Sequence, residues 1–333
     1  MDNNIDSFYD IAYRKNIPVS VMIELLTKCN MKCSHCYLSD HNNSGFNFET
    51  ISQLLVDLRQ LGVVNVSFTG GEIFLRDDIY NIIAFARKLH IRVFLLSNAT
   101  LLNLSTVEKL SQLFISEFST TVFSLNNDTH DSFTNVKGSL SLVLDNLRLL
   151  KEKKIRVKVK MPIMQKNIID FNHVKKFCQE NSFDFFASPV IFPRFNGDQS
   201  PKTMAANFND LQLIIKDLDI MNSYSGNCLD SYVVPCKALF YSFSIDCNGD
   251  VFPCNSFPYK VGNIYCDSVH NIWYKSNELN QIKNIKMEDL RACISCDKRK
   301  MCNRCPAMAY LDGNDFLGCD FFAKTIAEAR LVV

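Results

Sequence analysis

Three cysteines stand close together in Cys29-Asn-Met-Lys-Cys33-Ser-His-Cys36-Tyr37, a C-x3-C-x2-C spacing. Three thiolates on one tight loop can hold three corners of a 4Fe–4S cube, which leaves the fourth iron open to a substrate or cofactor. Clusters ligated by four cysteines, as in ferredoxins, only move electrons. Structural zinc is the competing use of such thiols, since a C-x2-C pair with a nearby His also suits that ion. His35 lies between the second and third cysteines, so it cannot easily join them on one metal.

The chain has 14 cysteines, ten of them between residues 228 and 319, and Cys178 alone falls between the two groups. In a reducing compartment, clustered thiols bind metal or serve redox chemistry rather than pairing as disulfides. In the second group, Tyr241-Ser-Phe-Ser-Ile-Asp-Cys-Asn248-Gly249-Asp-Val-Phe-Pro-Cys254 sets Asn-Gly between two alternating runs. That is the signal of a two-residue hairpin. It folds Cys254 back toward Cys236. Cys293-x2-Cys296-x5-Cys302-x2-Cys305 follows, then Cys319. These C-x2-C pairs again suit zinc as well as a cluster. Cys178 reads as a core residue. Cys247, in the hairpin, could donate a hydrogen atom to a substrate radical.

An alternation of strands and helices must position these loops. Residues 19–26, 63–68, 91–96, 117–125, 155–161 and 183–191 read as strands, and 49–61, 77–89, 105–113, 140–153 and 169–180 as helices. Such βα units build a parallel sheet with helices outside, through right-handed crossovers. About six units are too few for a closed eight-stranded barrel. The expected α/β fold is therefore a partial, TIM-like (β/α)6 barrel with its chemistry at the C-terminal ends of the strands. The reading divides the chain into an N-terminal extension (1–17), the barrel (18–191), a polar bridge (192–225) and a cysteine-rich domain with a closing helix (226–333).

Composition is consistent with this. Over 333 residues, 47% are apolar and 21% charged, enough for a sizeable core, and the formal net charge is +1. No long basic or acidic block points to nucleic acid or an anionic membrane. No apolar run is long enough to span a bilayer and no signal peptide opens the chain, so a cytoplasmic location is expected.

Further motifs fall at the expected strand ends. Ser67-Phe-Thr-Gly70-Gly71-Glu72 ends the second strand, and its glycines would let the backbone approach a ligand. Leu96-Ser97-Asn98-Ala99-Thr100-Leu101 ends the third; Ala99 speaks against a need for positive φ there. Val122-Phe-Ser124-Leu-Asn126 ends the fourth. Each segment alone is an ordinary turn. In this order, with the first cysteine loop, they resemble the radical S-adenosylmethionine (SAM) superfamily. The resemblance implies that Cys29, Cys33 and Cys36 hold a 4Fe–4S cluster whose open iron takes the amino and carboxylate groups of SAM. It implies further SAM contacts at Gly70, Gly71 and Glu72 (the amino group), Ser97 and Asn98, Ser124 (ribose or carboxylate) and Tyr37 (adenine). Ile73 stands where the family usually has Pro, and Asn126 replaces its usual Asp.

The later cysteines are similar to the SPASM domain, a C-terminal extension of these enzymes that holds auxiliary clusters. Twelve residues separate Cys236 from Gly249 and four separate Gly249 from Cys254, as in that pattern; the two residues before Cys305 are one fewer than usual. By resemblance, Cys293, Cys296, Cys302 and Cys319 hold an outer auxiliary 4Fe–4S cluster. Cys236, Cys254 and Cys305 hold an inner one, with Cys228 as its candidate fourth ligand.

The chemistry implied is formation of a 5′-deoxyadenosyl radical that abstracts a hydrogen from the substrate. The expected function is oxidative crosslinking of a ribosomally made precursor peptide. Oxidation of a Cys or Ser in a protein, as by anaerobic sulfatase maturases, peptide epimerisation, and a zinc-stabilised binding module without catalysis are the alternatives. An electron donor such as flavodoxin or ferredoxin is implied. No peptide-recognition domain fits ahead of residue 19, so leader binding would fall to a separate protein or to the barrel rim, by strand addition for instance.

Overall fold

The structure is a computed structural model that describes residues 3–221, 234 and 236–332, with side chains from residue 8 onward. Cys228 lies outside the described residues. Helix α1 (Asn3–Lys15) precedes strand β1 (Ser20–Glu24). Then alternate α2 (Phe48–Leu61), β2 (Asn65–Thr69), α3 (Ile79–Lys88), β3 (Arg92–Leu96), α4 (Leu104–Gln112) and β4 (Glu117–Thr121). Helices α5 (Asn127–Thr134) and α6 (Ser139–Glu152) lead to β5 (Val157–Pro162), α7 (Phe171–Asn181) and β6 (Asp184–Ser188). Among the described residues, β1 to β6 form a parallel sheet in the order β6-β5-β4-β3-β2-β1. This is the expected α/β partial barrel.

Local sequence explains these elements. In α2, Ile51, Leu54, Leu55 and Leu58 repeat at helical spacing and are buried, each contributing roughly 1.5–3 kcal/mol. Asn47 caps its start by accepting from Thr50 N at 2.8 Å, and Gly62, at φ +114°, ends it. In β5, Val157, Val159 and Met161 enter the core, while Lys160 and Pro162 line the interior of the barrel. That period of two is the strand signature.

The second cysteine region joins the same sheet. After α8 (Phe208–Met221), strand β7 (Ser242–Ile245) pairs parallel to β1, with Met22 opposite Ser244. β8 (Asp250–Phe252) and β9 (Gly262–Asn263) continue antiparallel, so one nine-stranded sheet runs from β6 to β9. Helices α9 (Val269–Lys275), α10 (Asn277–Lys283), α11 (Arg291–Ile294), α12 (Pro306–Gly313) and α13 (Phe321–Val332) follow. One hydrophobic core reaches from Val21 in β1 to Ala329 in α13.

Three local expectations are corrected. The hairpin loop holds three residues, not two: Asp246 N donates to Asp250 O at 2.9 Å, and Gly249 sits at φ +83°, the form of a turn closed by a left-handed glycine. The fourth strand stops at Thr121, because Asn126 accepts from Thr129 N and opens α5. Ala99 does adopt positive φ, +64°, which costs about 1 kcal/mol. Asn146 Nδ2, donating to Ala99 O at 2.8 Å, helps to hold it there.

Candidate active site

Cys29, Cys33 and Cys36 lie in the loop after β1, at the C-terminal end of the sheet. All three line a cavity of about 810 Å³ inside the partial barrel. Burial raises all three thiols, Cys33 to about 12 and Cys36 to about 11, and each feels the charge of its neighbours. Binding metal here must therefore release protons. The loop is pinned from several sides. Ser34 N donates to Phe133 O at 2.9 Å, Asn135 Nδ2 to Lys32 O at 2.6 Å and Met31 N to Cys29 Sγ at 3.4 Å. Among the described residues, no three His, Cys, Asp or Glu converge as on a single metal ion. Thiols that ligate different irons of one cube need not converge so tightly.

Gly70 and Gly71 line the cavity beside this loop. Their lack of a side chain serves the protein first. A Cβ on Gly70, at φ +148°, would lie 2.2 Å from Leu26 O, and one on Gly71 would lie 2.3 Å from both Thr27 O and Lys28 O. Gly71 N and Glu72 N donate to Leu26 O and Lys28 O, each at 2.9 Å. The glycines thus dock the second strand end onto the segment that leads into the cysteine loop.

Glu72 is fully buried and does not line the cavity. Its carboxylate accepts from Ser97 Oγ at 2.8 and 3.0 Å, Asn98 N at 2.8 Å and Phe74 N at 3.0 Å. These bonds brace the third strand end against the second. Ser97 and Asn98 do line the cavity, and Asn98 Nδ2 reaches across to Asn30 Oδ1 at 2.8 Å. Ser124 is fully buried, lies off the cavity wall and accepts from Asn126 N at 2.9 Å.

Tyr37 lines the cavity, and its Oη donates to Glu24 Oε2 at 3.1 Å. Burial raises Glu24 to about 7; the bond from Tyr37 opposes that shift and the charge of Asp246 adds to it. Cys247, raised by burial to about 12, also meets Glu24. It is buried and off the cavity wall, so the hydrogen-donor reading gains nothing from its position.

Reading by motif missed other cavity residues. His35 Nδ1 is buried without a hydrogen-bond partner among the described residues, and burial lowers this imidazole to about 4. His130, on the unforeseen α5, accepts from Phe123 N at 3.3 Å and is lowered likewise. Lys160 projects from β5, lowered by burial and forming no ion pair among the described residues. Its signal was present in the alternation Val157-Lys-Val-Lys-Met161.

The remaining thiols form two groups. Cys293, Cys296, Cys302 and Cys319 share a second cavity of about 320 Å³. Cys254 feels the charge of Cys305 and Cys236, and Cys305 that of Cys236. Cys305 also lines the large cavity, as does Asn255 beside Cys254. Despite the shorter spacing before it, Cys305 is held firmly: it precedes Pro306 at the start of α12, and its N donates to Asp320 Oδ2 at 3.1 Å.

The chain matches the model of the radical SAM superfamily over residues 23–178 and that of the SPASM iron–sulfur cluster-binding domain over residues 236–306. It is 28% identical over 277 residues to the antilisterial bacteriocin subtilosin biosynthesis protein AlbA of Bacillus subtilis, across 77% of this chain and 60% of AlbA. The chain thus spans less than two thirds of that relative. It is 21% identical over 333 residues to an AdoMet-dependent heme synthase of Methanosarcina barkeri, across 91% and 95% of the two chains. Among solved structures, SuiB of Streptococcus suis bound to S-adenosylmethionine superimposes with a TM-score of 0.72 at 18% identity, over 94% of this chain and 79% of SuiB. SuiB has also been solved with its precursor peptide SuiA.

Proposed function

The chain belongs to the radical SAM superfamily and carries a C-terminal SPASM iron–sulfur domain, and we propose that it is a peptide maturase that oxidatively crosslinks a ribosomally made precursor. One observation carries this reading. The cavity lined by Cys29, Cys33 and Cys36 extends without a wall to Cys305, and at about 810 Å³ it has room for a peptide segment as well as a cofactor. Likeness to AlbA, and to the fold of SuiB, supports it.

Cys29, Cys33 and Cys36 would hold the SAM-binding 4Fe–4S cluster. Cys236, Cys254 and Cys305, with Cys228, would hold the inner auxiliary cluster, and Cys293, Cys296, Cys302 and Cys319 the outer. When bound, the first cluster and SAM supply a carbon radical able to remove a substrate hydrogen. The protein binds, orients and shields. Gly70 and Gly71 keep the cofactor wall flat, and Ser97 and Asn98 offer it hydrogen bonds. Tyr37 stands as the aromatic wall, fixed by Glu24. His35 and His130 line the cavity beside the cysteine loop. Tyr37, Phe123, Phe186 and Ile191 give the cavity its apolar lining, which limits water around a radical. A reducing cytoplasmic setting, with flavodoxin or ferredoxin as donor, suits these thiols.

The near full-length alignment with the heme synthase supports a second reading, radical oxidation of a small molecule. A precursor peptide encoded beside this chain, deuterated at its α-carbons and its side-chain carbons, separates the two. Deuterium appearing in 5′-deoxyadenosine is expected, whereas 5′-deoxyadenosine formed without deuterium from any peptide position would end the peptide reading.

A further inference from the structure

Arg304 sits in the two-residue gap between Cys302 and Cys305, and so between the two cysteine groups. Its Nε donates to Gly318 O at 2.8 Å and its Nη2 to Phe316 O, which clamps the segment leading into Cys319. Its Nη1 is buried and has no acceptor among the described residues. Among the described residues no carboxylate forms an ion pair with Arg304. Asp320 instead accepts from Cys305 N at 3.1 Å and Ala323 N at 2.9 Å. Arg304 is among the residues around the cavity shared by Cys293, Cys296, Cys302 and Cys319. A buried guanidinium nitrogen left without an acceptor is costly. What this cavity is built to receive, four thiolates around an iron–sulfur core, is rich in anionic sulfur acceptors.

We propose that Arg304 donates its Nη1–H to sulfur of the cluster held by Cys293, Cys296, Cys302 and Cys319, and thereby raises that cluster's reduction potential. The inference rests on the cluster assignment above and not on the identity of the substrate. A hydrogen bond and a fixed positive charge both favour the state that carries one more electron, as hydrogen bonds to cluster sulfur are known to do. The outer cluster becomes the better electron acceptor of the auxiliary pair. The role is one of tuning: Arg304 touches no substrate.

The test uses the full chain, reconstituted anaerobically, with Cys29, Cys33 and Cys36 all replaced by Ala so that only auxiliary signals remain. Reductive titration followed by electron paramagnetic resonance compares Arg304 with Arg304→Met and Arg304→Lys. The expected result is a shift of at least tenfold (59 mV for one electron) toward the oxidised form of one auxiliary cluster in Arg304→Met. The shift is smaller in Arg304→Lys and smaller at the other cluster. Unchanged potentials at unchanged iron content would overturn the proposal. So would loss of iron from both variants, which would reduce Arg304 to a clamp on Gly318 and Phe316. An unsubstituted chain that takes up zinc and no iron would instead overturn the cluster assignment, and this inference with it.

Discussion

Ser97 Oγ donates to both oxygens of Glu72, at 2.8 and 3.0 Å, and so ties the turn that ends β2 to the turn that ends β3. Two cavity walls depend on this one carboxylate. Glu72→Ala leaves Ser97 Oγ, Asn98 N and Phe74 N without their acceptor and is expected to cost about 3 kcal/mol or more. It should also weaken SAM binding by misplacing Ser97 and Asn98. Denaturant midpoints and equilibrium SAM titration report the two effects. A variant with unchanged stability would show that the brace is dispensable.

Gly71 gives a steric prediction. An added Cβ meets two backbone oxygens at 2.3 Å, and backbone cannot rotate away as a side chain can. Gly71→Ala should lose roughly 2–4 kcal/mol and bind less iron at the first cysteine loop. Gly313→Ala, with open space around its Cβ, is the control and should stay within about 0.5 kcal/mol.

Glu24 makes stability depend on pH in a definite direction. Its carboxyl lies near 7 in the fold, against 4.5 ordinarily, chiefly through burial. Between about pH 4.5 and 7 the folded chain keeps a proton that the unfolded chain has lost. Stability should therefore fall as pH rises through that window and level off above it. Glu24→Gln is neutral throughout and should flatten the slope, as read from urea midpoints across the range. An equal slope in the variant would show that another group sets it.

How far the sequence disclosed this site depends on which residues are local. Strands β1 to β6 were legible because Val21 and Ile23, or Val157 and Val159, alternate with positions facing the cavity. The cysteine groups were legible from spacing. The internal hydrogen bonds of Glu72 and Ser124 were not, since a motif gives a residue's place in the chain but not the direction of its side chain. The pairing of β7 with β1 was hidden too, because Ser244 lies more than two hundred residues from Met22. Helix α5 escaped because Asn127-Asp-Thr-His-Asp is weakly helix-forming, and its start rests on the Asn126 cap.

The two cysteine groups predict separable iron losses. Cys296→Ala should remove roughly four irons per chain while the spectrum of the SAM-binding cluster persists. Cys178→Ala should leave iron unchanged, since Cys178 is buried in the core between α7 and the sheet. Equal iron in both variants would remove Cys296 from the ligand set.

The most direct measurement is mass spectrometry of a candidate precursor peptide encoded beside this chain, after anaerobic turnover with SAM, a one-electron reductant and the reconstituted chain. The account predicts 5′-deoxyadenosine together with a peptide lighter by two hydrogen atoms. Sustained SAM cleavage that leaves the peptide's mass and isotopic content unchanged would contradict it.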